Sequence, residues 1–329
     1  MDPRGAAELL EDPAGALDRL GTFPNLTRAR AYTQAELERR AHELADVTSP
    51  VVLFGSWGRE ELTEQSDDDW AVLGDASAES LARCRSVLGG DEREPGQQDL
   101  FGTAFSCDEL VRNIGLDADT NTNLTRRMLL LLESRPVTGL DAYSRCFGSV
   151  LDAYLGHGVR DYRPPRFLLN DLIRYWRTIC VDFEGKRRDS HGDDPKYASR
   201  NAKLRTSRKM LFAGGLLPVL LCHTRTGAEM PSFLTRWLAA PPTDRLAAAF
   251  VTQGAVAEGV RALAAYDRWI GLLADPSARA ELASLRESTR ESSPLFASIR
   301  EIGDELQRGL LALLYETGLS PLTRWYGLF

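Results

Sequence analysis

Two short polar segments in the first quarter of the chain combine residue types that bind phosphate and metal ions. Six residues separate them, and their sequences are Gly55-Ser56-Trp57-Gly58-Arg59 and Ser66-Asp67-Asp68-Asp69. A tight turn that opens a helix presents backbone N–H groups and, at a serine, a hydroxyl, and both bind phosphate well. The first segment, with Gly55 and Ser56 at the turn, therefore predicts a phosphate site.

The second segment supplies two acids that are expected to project from the same face. Successive side chains of a β-strand alternate between its faces, so Asp67 and Asp69 point one way and Asp68 points the other. Neighbouring carboxylates repel each other unless a cation lies between them. Oxygen ligands of this kind suit Mg²⁺, with Mn²⁺ as the alternative ion. The competing interpretation is a surface acidic turn beside a chance Gly-Ser pair.

The elements that must position these segments form a small α/β arrangement. The apolar run Val51–Phe54 predicts a buried strand, and Asp67–Leu73 predicts a second one. The other expected elements are a helix over Thr33–Asp46 that Thr33 caps, a helix over Ser77–Leu88, and a third strand over Asp99–Ser106. After about residue 122 the pattern predicts helices throughout. The sequence thus predicts an α+β fold, with a small mixed-sheet domain over residues 1–140 and an all-α domain over residues 141–329.

Charge is divided unevenly along the chain. Residues 1–150 carry 15 Arg, no Lys and 27 acids, whereas Arg160–Lys209 carries 14 basic residues and 7 acids. An acidic half beside a basic segment suits a site with metal ions on one wall and polyphosphate on the other, although a solvated basic helix has the same composition. The net charge of −7 argues against broad nucleic-acid binding.

Export and membrane insertion are not expected from this sequence. Residues 1–24 contain acids and prolines where a secretory signal would be apolar. The longest apolar run, Met210–Cys222, is shorter than the roughly 18–20 residues that a membrane span needs. The five cysteines have no metal-ligand spacing, so reduced thiols and a cytoplasmic location are expected.

The full pattern resembles the DNA-polymerase-β-type nucleotidyltransferase superfamily. The residues that carry the resemblance are Gly55-Ser56-x-Gly58-Arg59 and Ser66-Asp67-x-Asp69, with Val51–Phe54 before them and Ala71-Val72-Leu73 after them. The Gly58-Arg59-x-Glu61-Leu62 detail looks most like the branch that holds the glutamine-synthetase adenylyltransferases and the uridylyltransferases of nitrogen signalling. The resemblance covers about residues 35–135.

This resemblance implies two-metal chemistry. Asp67 and Asp69 would hold the metal ion that bridges the triphosphate, and a third carboxylate would join them at a second ion that activates the acceptor hydroxyl. Asp99 is the best-placed third carboxylate, and the competitors in the same region are Asp91, Glu92, Glu94 and Asp108.

The phosphate contacts that the resemblance implies come from the first segment and from the start of the second. Gly55, Ser56, Arg59 and Ser66 would bind the nucleotide phosphates. Arg59 has an alternative interpretation, in which it pairs with Glu60, Glu61 or Glu64 and is structural.

Basic residues at helical spacing form two further candidate phosphate-binding faces. One face carries Lys196, Arg200 and Lys203, and the preceding helix carries Asn170, Arg174 and Arg177. Such faces could bind a triphosphate or the phosphates of an acceptor, and the alternative is a solvated face paired with acids. Tyr175 and Trp176 fit a buried core better than a nucleobase-stacking surface.

The expected reaction transfers a nucleoside monophosphate from an NTP to a hydroxyl and releases pyrophosphate. A protein or a small molecule is the favoured acceptor, and RNA or a second nucleotide stays open. Two other functions are compatible with the sequence: a catalytically silent nucleotide-binding regulator and a toxin–antitoxin component that retains the fold.

Overall fold

The computed structural model describes residues 3–89, 100–156, 158–191 and 193–327, and within these ranges the chain is α+β as expected. A four-stranded mixed sheet accompanies many helices. In chain order the elements are α1 (Pro3–Glu11), α2 (Ala16–Leu20), α3 (Pro24–Glu43), β1 (Val51–Phe54), β2 (Trp70–Leu73), α4 (Ala78–Leu88), β3 (Ala104–Phe105), α5 (Cys107–Arg112), α6 (Asn121–Leu132), β4 (Ser134–Pro136), α7 (Leu140–Leu155), α8 (Arg166–Asp189), α9 (Tyr197–Arg205), α10 (Ser207–Leu221), α11 (Met230–Ala239), α12 (Pro242–Thr252), α13 (Val256–Ala274), α14 (Pro276–Ser284), α15 (Pro294–Tyr315) and α16 (Ser320–Tyr326).

The chain divides into two compact units, residues 28–159 and residues 1–27 with 160–329. The N-terminal segment therefore belongs with the helical unit, whereas the sequence placed it in a sheet domain over residues 1–140. Two buried carboxylates hold it there. Asp244 accepts a hydrogen bond from the Leu17 N–H (2.9 Å), and Asp267 accepts one from the Leu26 N–H (2.8 Å). These acids satisfy N–H groups near helix starts, which have no partner inside the helix.

The sheet has the strand order β3-β2-β1-β4, with β1 antiparallel to both β2 and β4 and with β2 parallel to β3. The two central strands are buried on both faces, as continuous apolar runs require. Leu53 pairs with Trp70, and both side chains join a core with Trp57 and Leu62 on one face of the sheet. This core fixes the register of β1, which precedes the first polar segment, and of β2, which follows the second.

The second strand starts later than the sequence predicted. It begins at Trp70, so the aspartates lie in the segment just before it and not in the strand. The reason is that β1 ends at Phe54 and the chain turns at Gly55, which leaves Asp67 without a partner strand. Asp69 is still held at the end of the ladder, because its carbonyl accepts a hydrogen bond from the Phe54 N–H (2.8 Å).

Other boundaries also differ from the expectation. The helix expected from Thr33 begins at Pro24, so Thr33 is an interior residue, whose hydroxyl donates to the Ala29 carbonyl and accepts from the Leu62 N–H. The third strand is only Ala104–Phe105. Strand β4 lies where helix was expected, and its Pro136 is tolerated because β4 is an edge strand.

The cysteines are not all reduced thiols, which corrects the sequence-based expectation. Cys107 at the start of α5 and Cys146 in α7 form a disulfide, with their Cα atoms 5.7 Å apart. The pairing was invisible in the sequence because 39 positions separate the two residues. Cys84, Cys180 and Cys222 are free.

This disulfide gives a direct prediction about thiol chemistry. Alkylation of the denatured, unreduced protein is expected to label three cysteines, and alkylation after reduction is expected to label all five. Reduction should also lower the free energy of unfolding of residues 28–159 by about 2–4 kcal/mol, since the open chain gains conformational entropy when it unfolds. Mass spectrometry counts the labels and urea unfolding measures the stability. Five labels without reductant would contradict the pairing.

The helical unit is built around long helices with buried faces, and α13 and α15 are its most extensively packed pair. Its buried Arg245 donates to the carbonyls of Ala240 and Leu238, both at 2.7 Å. Among the described residues, no helix combines the length and apolar character that crossing a membrane would require.

Candidate functional site

The Asp69 carboxylate lies beside the Gly55 bend. Gly55 has φ of +66°, a left-handed conformation that glycine adopts without steric cost. A Cβ atom placed on Gly55 would lie 3.0 Å from Asp69 Oδ2. The antiparallel pairing of β1 with β2 produces this contact, because the bend follows the end of β1 and Asp69 precedes the start of β2. The structure therefore brings together an acid and the turn that the sequence marked as a phosphate site.

The three aspartates alternate in burial, so only Asp67 and Asp69 are open to solvent. Asp67 is exposed, Asp68 is buried, and Asp69 is half-buried. Asp68 points to the side of the core, where its Oδ1 accepts a hydrogen bond from Trp57 Nε1 (3.1 Å). Asp67 has no hydrogen bond or ion pair within the described ranges. The burial of Asp68 between the less buried Asp67 and Asp69 agrees with the alternation expected from the sequence, although the three residues precede the strand.

The bend itself is a series of hydrogen-bonded turns, not the brief helix that the sequence predicted. The carbonyl of Gly55 accepts from the Arg59 N–H (3.0 Å), and the carbonyl of Ser56 accepts from the Glu61 N–H (2.8 Å). Glu60 has φ of +58° and ends the helical geometry. The N–H groups of Ser56 and Trp57 have no acceptor among the described residues. Consecutive N–H groups in a turn can bind an anion when they have no acceptor within the protein.

Gly58 is required by a close approach of two backbones. A Cβ atom at this position would lie 2.0 Å from the carbonyl carbon and oxygen of Glu133. Residue 133 connects α6 to β4, so the turn after Ser56 rests directly on the start of the edge strand. The glycine of the sequence motif is thus explained by packing.

Arg59 forms ion pairs with two buried acids. Its Nε donates to Glu61 (2.8 Å) and its guanidinium also pairs with Glu133, while both carboxylates are almost fully buried. These contacts match the structural alternative for Arg59, and they hold the bend against the end of α6. Because the positive charge of Arg59 already compensates two buried carboxylates, less of it is available to a bound phosphate.

Ser56 and Ser66 have different surroundings. The Ser56 side chain is partly exposed at the bend, beside the N–H groups described above. The hydroxyl of Ser66 accepts a hydrogen bond from the Thr63 N–H and contacts the Thr63 hydroxyl (3.0 and 3.1 Å). Ser66 therefore closes a local turn with Thr63, and it lines the same small cleft as Asp68.

The third expected carboxylate, Asp99, lies outside the described residues. Within the described ranges, no group of three or more His, Cys, Asp or Glu side chains is arranged to hold a metal ion. The chemistry of the donors still fits a divalent cation, because both carboxylates are oxygen ligands, Asp67 is exposed to solvent and Asp69 lies beside the Gly55 bend.

The basic residues at helical spacing belong to the other compact unit. Lys196 and Lys203 are exposed, and Arg200 pairs with the buried Asp194. On α8, Arg174 lies 3.7 Å from Asp171. These contacts resemble the alternative of a basic face paired with acids. Tyr175 is buried, and Trp176 stacks on Phe212 with a centroid distance of 5.2 Å, so neither ring is presented as an open stacking surface.

No family model, curated protein or solved structure matches this chain.

Sequence reasoning missed the residues that support the bend. Nothing in the sequence singles out Glu133, and for Asp68 the sequence predicted only that the side chain points away from those of the two neighbouring aspartates. The signal for Asp68 was available, since Trp57 and Asp68 belong to the two segments and a buried indole N–H needs an acceptor. Glu133 gave no signal, because its contact with Arg59 spans 74 positions.

The contact between Gly55 and Asp69 predicts the effect of a single methyl group. Gly55→Ala adds a Cβ atom at 3.0 Å from Asp69 Oδ2 and forces a left-handed conformation on an alanine. Displacement of the acid should reduce the nucleotidyl transfer expected from the sequence by about 10²-fold. Gly74→Ala is the matched control, because Gly74 also has positive φ (+90°) but no atom within 4 Å of its Cβ position. Equal activities of the two variants in a pyrophosphate-release assay would contradict the assigned contact.

Proposed function

We propose that this protein is a Mg²⁺-dependent nucleotidyltransferase of the DNA-polymerase-β type, which transfers a nucleoside monophosphate from an NTP to a hydroxyl group. The observation that carries the proposal is the contact of the Asp69 carboxylate with the Gly55 bend. An acid in this place can hold a cation that also touches a phosphate bound by the bend. The residue types, their order along the chain and this contact together support nucleotidyl transfer.

Each residue of the site has a distinct task in this proposal. The N–H groups of Ser56 and Trp57 and the Ser56 hydroxyl donate to the nucleotide phosphates. Asp67 and Asp69 would hold Mg²⁺, or Mn²⁺ in its place, which supplies charge neutralisation and a lowered pKa of the attacking hydroxyl when bound. Asp99 stays the candidate third carboxylate.

The supporting residues keep the bend in position. Gly58 allows the turn to approach Glu133, and Arg59 connects the turn to the buried carboxylates of Glu61 and Glu133. Most of the rate gain in phosphoryl and nucleotidyl transfer comes from positioning and from neutralised charge, so a rigid bend is a functional requirement.

The proposal also concerns the class of acceptor and the basic residues of the helical unit. A protein side chain or a small molecule is the favoured acceptor, and an RNA end is the alternative. Lys196, Arg200 and Lys203 are proposed contacts for a triphosphate or for acceptor phosphates. Since Arg200 already pairs with Asp194, the exposed Lys196 is a better candidate than Arg200.

Pyrophosphate release tests the proposal. The full chain is incubated with Mg²⁺ and, separately, with each of the four labelled NTPs, with a pool of candidate protein and small-molecule acceptors present. Release of pyrophosphate with at least one NTP is expected, and EDTA should stop it. Nucleotide binding without any release would favour a catalytically silent regulator and would contradict the enzyme.

A further inference from the structure

A buried hydrogen bond joins the two polar segments on the core side of the Gly55 bend. The residue pairing of β1 with β2 ends at Leu53 and Trp70, which lie outside both segments. Beyond that pair, Nε1 of Trp57 donates a hydrogen bond to Oδ1 of Asp68 over 3.1 Å. Trp57 belongs to the first segment and Asp68 to the second, so this bond connects the candidate phosphate turn to the segment of the candidate metal ligands.

Asp68 is itself anchored to two helices. Its Oδ2 lies 3.5 Å from Nη2 of Arg40, which belongs to α3. Nη1 of the same arginine donates to the Val87 carbonyl in α4 (2.7 Å) and to the Glu43 carboxylate (3.1 Å). A chain of polar contacts therefore runs from α4 through α3 and Asp68 to the indole of Trp57. Both helices also pack against the core of the sheet.

The hydrogen bond between Trp57 and Asp68 is shielded from solvent. Trp57 is 1% exposed and Asp68 is 6% exposed. A hydrogen bond between buried groups is electrostatically stronger than one in water, and a carboxylate acceptor strengthens it further. Water cannot easily replace the indole at this depth, so loss of the indole N–H would remove one donor from a buried carboxylate.

The backbone and the side chain of Trp57 have different tasks. Its backbone N–H is one of the two proposed phosphate donors, whereas its indole packs in the core with Leu53, Leu62 and Trp70. A shift of the indole would therefore move the phosphate donor with it. Asp68 has the same relation to its own neighbours, because the candidate metal ligands adjoin it directly in the chain.

We propose that Trp57 and Asp68 are a positioning pair for nucleotidyl transfer, whose hydrogen bond sets the separation between the phosphate-binding turn and the acids Asp67 and Asp69. This inference rests on the proposed function. A displacement of about 1 Å among reacting groups can cost about 10²-fold in rate. Neither the indole nor the Asp68 carboxylate touches nucleotide or metal, so the pair acts on the rate of transfer and not on nucleotide binding.

Trp57→Phe tests the pair, because it keeps an aromatic ring in the core and removes the N–H donor. It should lower kcat by about tenfold and change KM for the NTP by less than about twofold. Trp70→Phe is the matched control. Trp70 is buried in the same core, and its indole N–H has no acceptor among the described residues, so the same ring change removes no hydrogen bond. Its kcat should stay within about twofold of the wild type.

Asp68→Asn separates positioning from stability. The amide keeps an oxygen that can accept from the indole, but it removes the charge that faces Arg40. The urea midpoint should therefore fall further than in Trp57→Phe, since a largely buried guanidinium loses one of its acids. The kcat should nevertheless fall less than in Trp57→Phe. A contribution to stability alone would place the two variants in the same order for both measurements and would overturn the positioning role.

Amide hydrogen exchange supplies a measurement that does not depend on activity. The backbone amides of residues 55–59 should exchange at least about tenfold faster in Trp57→Phe than in Trp70→Phe, because one buried hydrogen bond holds the turn. Equal exchange and equal kcat in the two variants would overturn the positioning pair and leave the enzyme intact. A raised KM with unchanged kcat in Trp57→Phe would also overturn it.

The same measurements keep the two proposals apart. If the wild type releases no pyrophosphate from any NTP, the nucleotidyltransferase is contradicted. Faster exchange in Trp57→Phe alone would then still support the coupling of the turn to Asp68, and its role in nucleotidyl transfer would fall with the enzyme. Equal exchange in both variants would contradict the coupling as well.

Discussion

Replacement of Asp67 and Asp69 by asparagine is expected to reduce Mg²⁺-dependent pyrophosphate release by at least about 10³-fold, because electrostatic groups aimed at a transferring phosphoryl group supply several kcal/mol each. The amide keeps the shape of the side chain and removes the negative charge that holds a cation. Asp69 lies beside the Gly55 bend, and Asp67 is an exposed acid two residues before Asp69. The loss should therefore appear in the rate of transfer with little change in stability.

The matched control for this pair is Asp75→Asn. Asp75 is an exposed acid two residues beyond the other end of β2, so its replacement removes one negative charge, against two in the double variant, without altering the bend. The assay is pyrophosphate release with the NTP that the wild type prefers, and circular dichroism verifies folding. Full activity of Asp67→Asn/Asp69→Asn would remove both residues from the site.

Gly58→Ala is expected to cost more stability than any other single methyl addition near the site. The new Cβ atom would overlap the backbone carbonyl of Glu133 at 2.0 Å, and a backbone cannot move aside as a flexible side chain can. Overpacking in a well-packed interior commonly costs 1–3 kcal/mol, and a clash with backbone places this variant at or above about 3 kcal/mol. The separation of the turn from Glu133 would also break the ion pair of Arg59, so transfer activity should fall as well.

Gly148→Ala provides the comparison for Gly58→Ala. Gly148 lies within α7 in the same unit, and nothing lies within 4 Å of its Cβ position. Alanine favours the helix there, so stability should rise by about 0.5–1 kcal/mol. Urea unfolding of both variants measures the difference. A loss at Gly58 no larger than about 1 kcal/mol would show that the contact with Glu133 is looser than described.

The central part of the sheet was predictable because its signals are local. Val51–Phe54 is a continuous apolar run that ends at a glycine, and β1 occupies those residues. Helix α4 begins after Ser77, whose side chain accepts from the Ser80 N–H as a capping residue does. Asp68 is buried between the exposed Asp67 and the half-buried Asp69, which agrees with the alternation expected from the sequence even though these residues precede β2.

The supports of the site were not predictable because they depend on residues far apart in the chain. The ion pair of Arg59 with Glu133 spans 74 positions, and the contact of Leu17 with Asp244 spans 227. Strand β4, a three-residue edge strand that contains proline, has no pattern of its own and exists because β1 offers it a partner. The disulfide between Cys107 and Cys146 likewise depends on the approach of α5 to α7.

The sequence by itself determined the residue types of the site, the strand before the bend and the α+β class, since composition, hydrophobic period and turn chemistry act over a few residues. Only the tertiary structure decided that Asp69 touches Gly55, that Arg59 is held by buried acids, and that residues 3–27 pack with the helical unit. Those features arise when distant segments bury surface together, and no local pattern encodes which distant groups will meet.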